Sequence, residues 1–184
     1  MRIIAGTLKG RRLQAPDWPG LRPTSDKVRE TLFNILGASV AEARVLDGYA
    51  GTGAVGIEAL SRGARAVTFV ERDRRAAALI EQNLQRCGVS NGYVIIRAEF
   101  TGDARARLRQ EIDQDGAGFD VIVLDPPYDE APDAALDAAA ALAAPAGLVV
   151  LEHARRHAPP EHAGRLARRR TVVSGDSALT FYSA

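Results

Sequence analysis

An α/β fold built on a mostly parallel sheet is predicted by three features of this 184-residue chain. From Arg44 onward, strand-like and helix-like patterns alternate, which is the signature of βαβ units. The run 121–124 is continuously apolar rather than alternating, as expected of a strand buried on both faces. Two strands end in loops of unusual chemistry, at Asp47 and at Asp125, and open α/β sheets bind ligands outside the carboxyl ends of their strands. One domain, 1–184, is expected, with an opening segment 1–37 and a core 44–184.

The opening segment reads as a hairpin plus a helix. Residues 2–5 and 11–14 look like two short strands, with Gly6 and Gly10 bracketing a turn that holds Lys9. Asp17-Trp18-Pro19-Gly20 is loop chemistry. Val28, Leu32, Ile35 and Leu36 then fall on one helical face, with Thr24 or Ser25 able to cap the start, Asp26 at the positive end and Gly37 at the stop.

In the core, 45–46 is a strand, 54–62 a helix ended by Gly63, and 66–70 a strand. A helix over 73–87 stops at Gly88, and a strand at 93–97 is followed by a helix over 101–112. After the strand 121–124 comes an Ala-rich helix, 132–143, with proline near its start. Pro145-Ala146-Gly147 turns the chain into a strand at 148–151. The end, 165–173 and 178–182, is a hairpin around Ser174-Gly175-Asp176-Ser177. No internal repeat and no domain-dividing linker is found.

At 46% hydrophobic and 26% charged, the composition excludes a disordered chain. No run of 18 apolar residues is present, and the start turns polar by Thr7, so a cytoplasmic protein is expected. Cys87 is the only cysteine, which excludes an internal disulfide and a thiolate cluster. His153, His157 and His162 are loosely spaced and lack clustered acids, so no metal site is expected.

Charge is unevenly distributed. Residues 1–30 carry seven Lys/Arg against three Asp/Glu, residues 31–150 eleven against seventeen, and residues 151–184 six against three. Two basic ends around an acidic middle suit a polyanionic partner. Arg2, Lys9, Arg11, Arg12, Arg22 and Arg29, with Thr24, are therefore candidates to face nucleic acid, because guanidinium forks match phosphate oxygens. Arg165, Arg168, Arg169 and Arg170 either join them or serve as a basic edge strand that resists aggregation.

The first core strand runs into Asp47-Gly48-Tyr49-Ala50-Gly51-Thr52-Gly53-Ala54-Val55-Gly56. Residues 51–56 satisfy G-x-G-x-x-G, and Glu71 lies about 20 residues on, at the end of the next strand. A dinucleotide and S-adenosylmethionine both fit that pattern. Asp47 discriminates between them: a carboxylate leading the loop repels a pyrophosphate and attracts an ammonium and a sulfonium. Arg72 stands beside Glu71. After the third strand, Glu99 is the candidate for the adenine amino group and Phe100 for packing on its ring, with Ala98 at the position where an acid or amide is expected.

Asp125-Pro126-Pro127-Tyr128 follows the buried strand, and the two prolines force the chain out of the sheet at Asp125. The tetrad matches a signature for methylation of exocyclic amines. Such an amine has its lone pair conjugated into the base. A carboxylate accepting one N–H and the Pro126 carbonyl accepting another favour a more tetrahedral, nucleophilic nitrogen. Tyr128 would stack on a base that has left its helix, and such stacking contributes roughly 1–3 kcal/mol. Three classes of function are compatible with these residues: an rRNA guanine methyltransferase, an adenine N6-methyltransferase, and a binding module with no chemistry.

The motifs also carry a closer likeness. Arg2-Ile3-Ile4-Ala5-Gly6, Gly10-Arg11-Arg12-Leu13, Leu21-Arg22-Pro23-Thr24, Val28-Arg29-Glu30-Thr31-Leu32-Phe33-Asn34 and Leu46-Asp47-Gly48-Tyr49-Ala50-Gly51-Thr52-Gly53, with Asp125-Pro126-Pro127-Tyr128, resemble the bacterial RsmD family over about 2–182. The resemblance implies a Rossmann-like class I methyltransferase with a seven-stranded mixed sheet of order 3-2-1-4-5-7-6. It implies N2-methylation of one guanine of 16S rRNA, within the small ribosomal subunit; a monomer is expected. S-adenosylmethionine would be the donor and S-adenosylhomocysteine the product. Cofactor contacts would come from Asp47, Gly48, Tyr49, Ala50, Gly51, Thr52, Gly53 and Glu71, and catalytic contacts from Asp125, Pro126, Pro127 and Tyr128. Ala98-Glu99 departs from the family, whose members usually carry Asp or Asn followed by Ala.

Overall fold

The computed structural model describes residues 1–21, 24–127 and 131–184. Among the described residues eight strands form one sheet: β1 (Arg44–Asp47), β2 (Ala66–Val70), β3 (Tyr93–Ile96), β4 (Phe119–Leu124), β5 (Ala143–Ala154), β6 (His162–Ala163), β7 (Leu166–Ser174) and β8 (Ser177–Ser183). Their order is β3-β2-β1-β4-β5-β8-β7-β6. The first five in that order run parallel, while β8, β7 and β6 pair antiparallel. The expected seven-stranded order is kept, with β8 inserted between β5 and β7. The eighth strand, β6, adds only the pairs His162–Ala167 and Ala163–Leu166 beyond it. Two residues carry no periodicity by which a sequence could announce such a strand.

Five α-helices among the described residues cover the sheet: α1 (Asp26–Leu36), α2 (Ala54–Ser61), α3 (Arg74–Cys87), α4 (Arg105–Asp115) and α5 (Asp133–Leu142). Their ends follow the sequence signals. Ser25 Oγ accepts from Val28 N at 3.2 Å, and Asp73 accepts from Arg75 N and Ala76 N at 2.6 and 3.1 Å. The helix expected over 101–112 instead begins with a π turn, Phe100–Ala104, broken at Gly102, and continues as α4. Pro145-Ala146-Gly147 proves to be a bulge within β5: the register passes from Phe119–Ala143 to Val121–Leu148 across it.

Side chains of a buried strand point alternately to opposite faces, so each continuous apolar run feeds two cores. Val45, Val121, Val123 and Val150 join Leu32 of α1, Ile57 of α2 and Ile80 of α3. Leu46, Ile122, Leu124 and Leu151 join Leu108 of α4 and Leu136 of α5. Among the described residues no helix is long and apolar enough to cross a membrane.

The opening segment is a hairpin closed by one bridge, Arg2–Arg12, rather than the two expected strands. Its bonds include Ile3 N to Arg11 O and Gly10 N to Ile3 O, both 2.9 Å, and Leu13 N to Met1 O at 3.2 Å. The hairpin sits on α2. Glu58, fully buried, accepts from Ile4 N at 2.8 Å and Ala5 N at 3.0 Å, and Ser61 Oγ accepts from Leu8 N at 2.9 Å. Arg29 closes this joint and is itself 0% exposed. Its Nη2 donates to Arg2 O at 2.8 Å and Asp26 Oδ1 at 2.6 Å, and its Nη1 lies 3.6 Å from Glu58 Oε2. Arg29 is therefore corrected from an RNA-facing residue to an internal tie, because no guanidinium so enclosed reaches a phosphate. Three of the four carboxyl-terminal arginines are also occupied, while Arg170 is exposed. Arg165 donates to the carbonyls of Ala140, Ala143 and Ala144, Arg168 to Pro159 O and Glu161, and Arg169 to Ser183 and Ala184 O.

Candidate active site

Both loops singled out in the sequence emerge at one edge of the sheet. β1 ends at Asp47, and the loop after it is pinned to both neighbouring strands. Gly48 N donates to Val123 O and Ala50 N to Val70 O, each at 2.9 Å. Gly53 caps α2 with φ +77, a left-handed conformation that a side chain strains. At Gly56 an added Cβ would stand 2.2 Å from Phe69 Cε1, so glycine there lets α2 lie against β2.

The acids converge on this loop. Asp47 is 4% exposed and accepts from Gly56 N at 3.0 Å. Burial pushes its carboxyl from 3.8 up to about 7, the Gly56 bond opposes the shift, and the negative charge of Glu71 adds to it. Glu71 accepts from Gly51 N and Asp73 N, both at 2.8 Å. Around them lies a cavity of about 330 Å³. Thr52, Arg72, Ala98 and Glu99 also line it, and Glu99 is exposed where Ala98 is half-buried. Tyr49 and Phe100 form a tilted pair on its wall, with ring centroids 5.6 Å apart. A buried carboxyl whose pKa is raised by desolvation gains from a cation and is opposed by a phosphate. The donor set suits a cationic ligand that also carries hydroxyls and a flat ring.

β4 ends at Leu124, and Asp125 follows, half-buried. Thr24 Oγ1 donates to Asp125 Oδ2 at 3.3 Å. Thr24, a candidate RNA contact on its sequence, thus steadies the acid. Pro126 is buried and Pro127 half-buried. A second cavity, about 370 Å³, opens here, lined by Ser25, Val28 and Pro126 among others. Gly20, Leu21, Thr24, Asp125, Pro127 and Glu152 line both cavities, so Asp125 stands where they meet. The expectations for Tyr128 and Arg22 fall outside the described residues. Arg2, Lys9, Arg11 and Arg12 are exposed on the hairpin.

Three contributors escape sequence reasoning. Glu152, in β5 just past Leu151, is 6% exposed and lines the junction. Nothing local marks it, since an acid after an apolar strand is common. Trp18 walls the first cavity, with the Arg75 guanidinium 5.0 Å from its ring. Its neighbours in sequence mark only a loop. Asn83 on α3, fully buried, donates to Thr52 O at 3.0 Å and Gln14 O at 3.2 Å, and accepts from Gln14 N at 2.7 Å. Its place among Leu79, Ile80, Leu84 and Cys87 on the apolar face of α3 is a signal, because a buried amide needs partners. His153, one of the three scattered histidines, is held between Ala154 O at 3.0 Å and Thr180 Oγ1 at 2.8 Å.

Comparison with known proteins adds to this geometry. A family model described as Conserved hypothetical protein 95 matches residues 1–183. Ribosomal RNA small subunit methyltransferase D of Escherichia coli K12 is 41% identical over 128 residues, 70% of this chain and 60% of that protein. The chain thus spans about three fifths of that relative's length. YlbH of Bacillus subtilis, named as a candidate rRNA methyltransferase, is 37% identical over 186 residues, 99% of this chain and 98% of that one. Among solved structures, yhhF of Escherichia coli, described as a candidate methyltransferase, superposes with TM-score 0.80 at 32% identity, covering 99% of this chain and 96% of its own. The architecture is that of class I methyltransferases.

Proposed function

This chain belongs to the family described as Conserved hypothetical protein 95, the RsmD family, and on that premise we propose that it methylates the exocyclic N2 of a guanine in 16S rRNA. The observation that carries the proposal is the meeting of two cavities at Asp125, one suited to a cation and one open beside the Pro126-Pro127 turn. When bound, S-adenosylmethionine would supply a sulfonium methyl: the amine lone pair would form the N–C bond, the C–S pair would pass to sulfur, and one amine proton would pass to Asp125 or to water.

The chain's own residues do the rest. Asp47 and Glu71 offer negative charge and acceptors to ammonium and ribose, and Tyr49, Phe100 and Glu99 flank the place for adenine. Asp125 accepts one amine N–H and the Pro126 carbonyl another, which raises the pyramidal character of the nitrogen. Tyr128 stacks on the base. Thr24 holds Asp125 in place. The small ribosomal subunit is the proposed partner, the exposed hairpin arginines its point of contact, and a cytoplasmic monomer the proposed form.

Labelled methyl from S-adenosylmethionine should enter small subunits lacking the mark, and mass spectrometry of nucleosides should identify N2-methylguanosine. Label found instead on adenosine would overturn the substrate assignment. Asp125→Ala should lower transfer by about a hundredfold or more, as for loss of a transition-state hydrogen-bonding group. The affinity for S-adenosylhomocysteine should stay within several-fold. Undiminished transfer in that variant would remove Asp125 from the mechanism.

A further inference from the structure

We infer that Glu152 is the residue that selects guanine, by accepting its N1–H while Asp125 accepts from the amine. The inference rests on the guanine-N2 reading above and deepens it. Leu151 of β5 pairs with Leu124 of β4, so Glu152 and Asp125 are the next residues along neighbouring parallel strands, and the two acids border the same junction. Any base whose amine meets a methyl donor in the first cavity must present its edge there. Only 6% of Glu152 is exposed, so its carboxyl contributes to the wall of the site and not to the outer surface.

The three bases with exocyclic amines differ on the Watson–Crick edge beside that amine. Guanine's amine lies between N1 and N3, and N1, on that edge, carries a hydrogen while N3 is bare. The ring nitrogen beside the amine is N1 in adenine and N3 in cytosine, and both are bare acceptors. A carboxylate offers acceptors only. Two carboxyls side by side therefore match the paired N1–H and N2–H donors of guanine. Facing adenine or cytosine, the second carboxyl meets a lone pair, and an unpaired buried polar contact is costly. The alternative substrate, adenine, is thus disfavoured by a residue that the Asp125-Pro126-Pro127-Tyr128 signature does not contain.

The test uses small-subunit RNA ligated around a synthetic segment carrying either guanine or 2-aminopurine at the methylated position. 2-Aminopurine keeps the amine and replaces N1–H with an acceptor. Single-turnover transfer by the full chain should favour guanine by about ten- to a hundredfold, the range expected for a hydrogen bond to a charged group. Glu152→Gln should close most of that gap, because its carboxamide can donate to the bare N1. Its affinity for S-adenosylhomocysteine should stay within several-fold, since Glu152 also borders the first cavity, and binding at that level reports a folded cofactor site. Binding of the two RNAs, read from their competition with a labelled guanine RNA, should converge in the same variant. An unchanged guanine preference in Glu152→Gln overturns the inference. So does a wild-type protein that treats both RNAs alike, with no variant needed. Absence of transfer to the guanine RNA by the wild type would instead sink the proposed function.

Discussion

At Asp47 a carboxyl group 4% exposed accepts from Gly56 N and faces Glu71, and burial lifts its pKa from 3.8 to about 7. Between those values the folded state holds a proton that the unfolded state has released. Folding stability therefore falls as pH rises through that window, and the full penalty is present above about pH 7. Asp47→Asn should stabilise the ligand-free protein there, by up to about 4 kcal/mol on linkage grounds. A bound ammonium reverses the balance by drawing the carboxyl back to its charged form. Affinity for S-adenosylhomocysteine, which carries that ammonium, should thus tighten about tenfold between about pH 6 and about pH 8. Calorimetric titration at the two values measures it, and Asp47→Asn should flatten the dependence. A flat profile in the wild type would mean that Asp47 does not sense the ligand's charge.

At the scale of elements, the joint between α1, the hairpin and α2 carries a buried charge network beside the apolar contacts of Ile3 and Leu13. Arg29 spans Arg2 O, Asp26 and Glu58, and Glu58 also takes Ile4 N, Ala5 N and Arg62. Removing one partner of a buried pair leaves the other uncompensated. Arg29→Met should lower stability by about 3 kcal/mol, the low end for such losses because Arg62 remains beside Glu58. Urea unfolding measures the loss, and limited trypsin digestion should cut residues 1–20 sooner. Arg29→Lys should not restore either, since one ammonium cannot replace a fork that serves several acceptors. Full stability in Arg29→Met would show the joint to be held elsewhere. This joint is the least legible part of the chain. Arg29 lies one residue from the apolar series Val28, Leu32, Leu36, yet its charge suggests solvent, and its acid lies 29 positions away on another helix. The glycine loop is legible because its acid, turn and helix start lie within ten residues of sequence. Glu152 and Thr24 are not, because the junction that gives them meaning is assembled from segments about a hundred residues apart. The parallel core is readable from alternation alone, whereas a two-residue edge strand is not.

Across the whole molecule, the two basic ends noted in the sequence part company in the structure. Arg2, Lys9, Arg11 and Arg12 stay exposed on the hairpin, on the same segment that supplies Gly20, Leu21 and Thr24 to the junction. At the other end, Arg165 and Arg169 spend their guanidiniums on the chain's own carbonyls and a hydroxyl. A cation committed internally neutralises fewer phosphates and releases fewer counterions. RNA affinity should therefore fall with salt mainly through the hairpin. Replacing Lys9, Arg11 and Arg12 together with Ala should weaken binding and reduce the slope of log affinity against log salt by about 2–3, at roughly 0.7–0.9 for each phosphate left unneutralised. Arg165→Ala with Arg169→Ala should leave the slope nearly unchanged, whatever it does to stability. Fluorescence anisotropy with a small-subunit rRNA fragment over a range of potassium chloride reads both. If the paired carboxyl-terminal change flattens the slope and the hairpin change does not, the RNA lies along β7 and β8, and the route to Asp125 must run from that edge of the sheet.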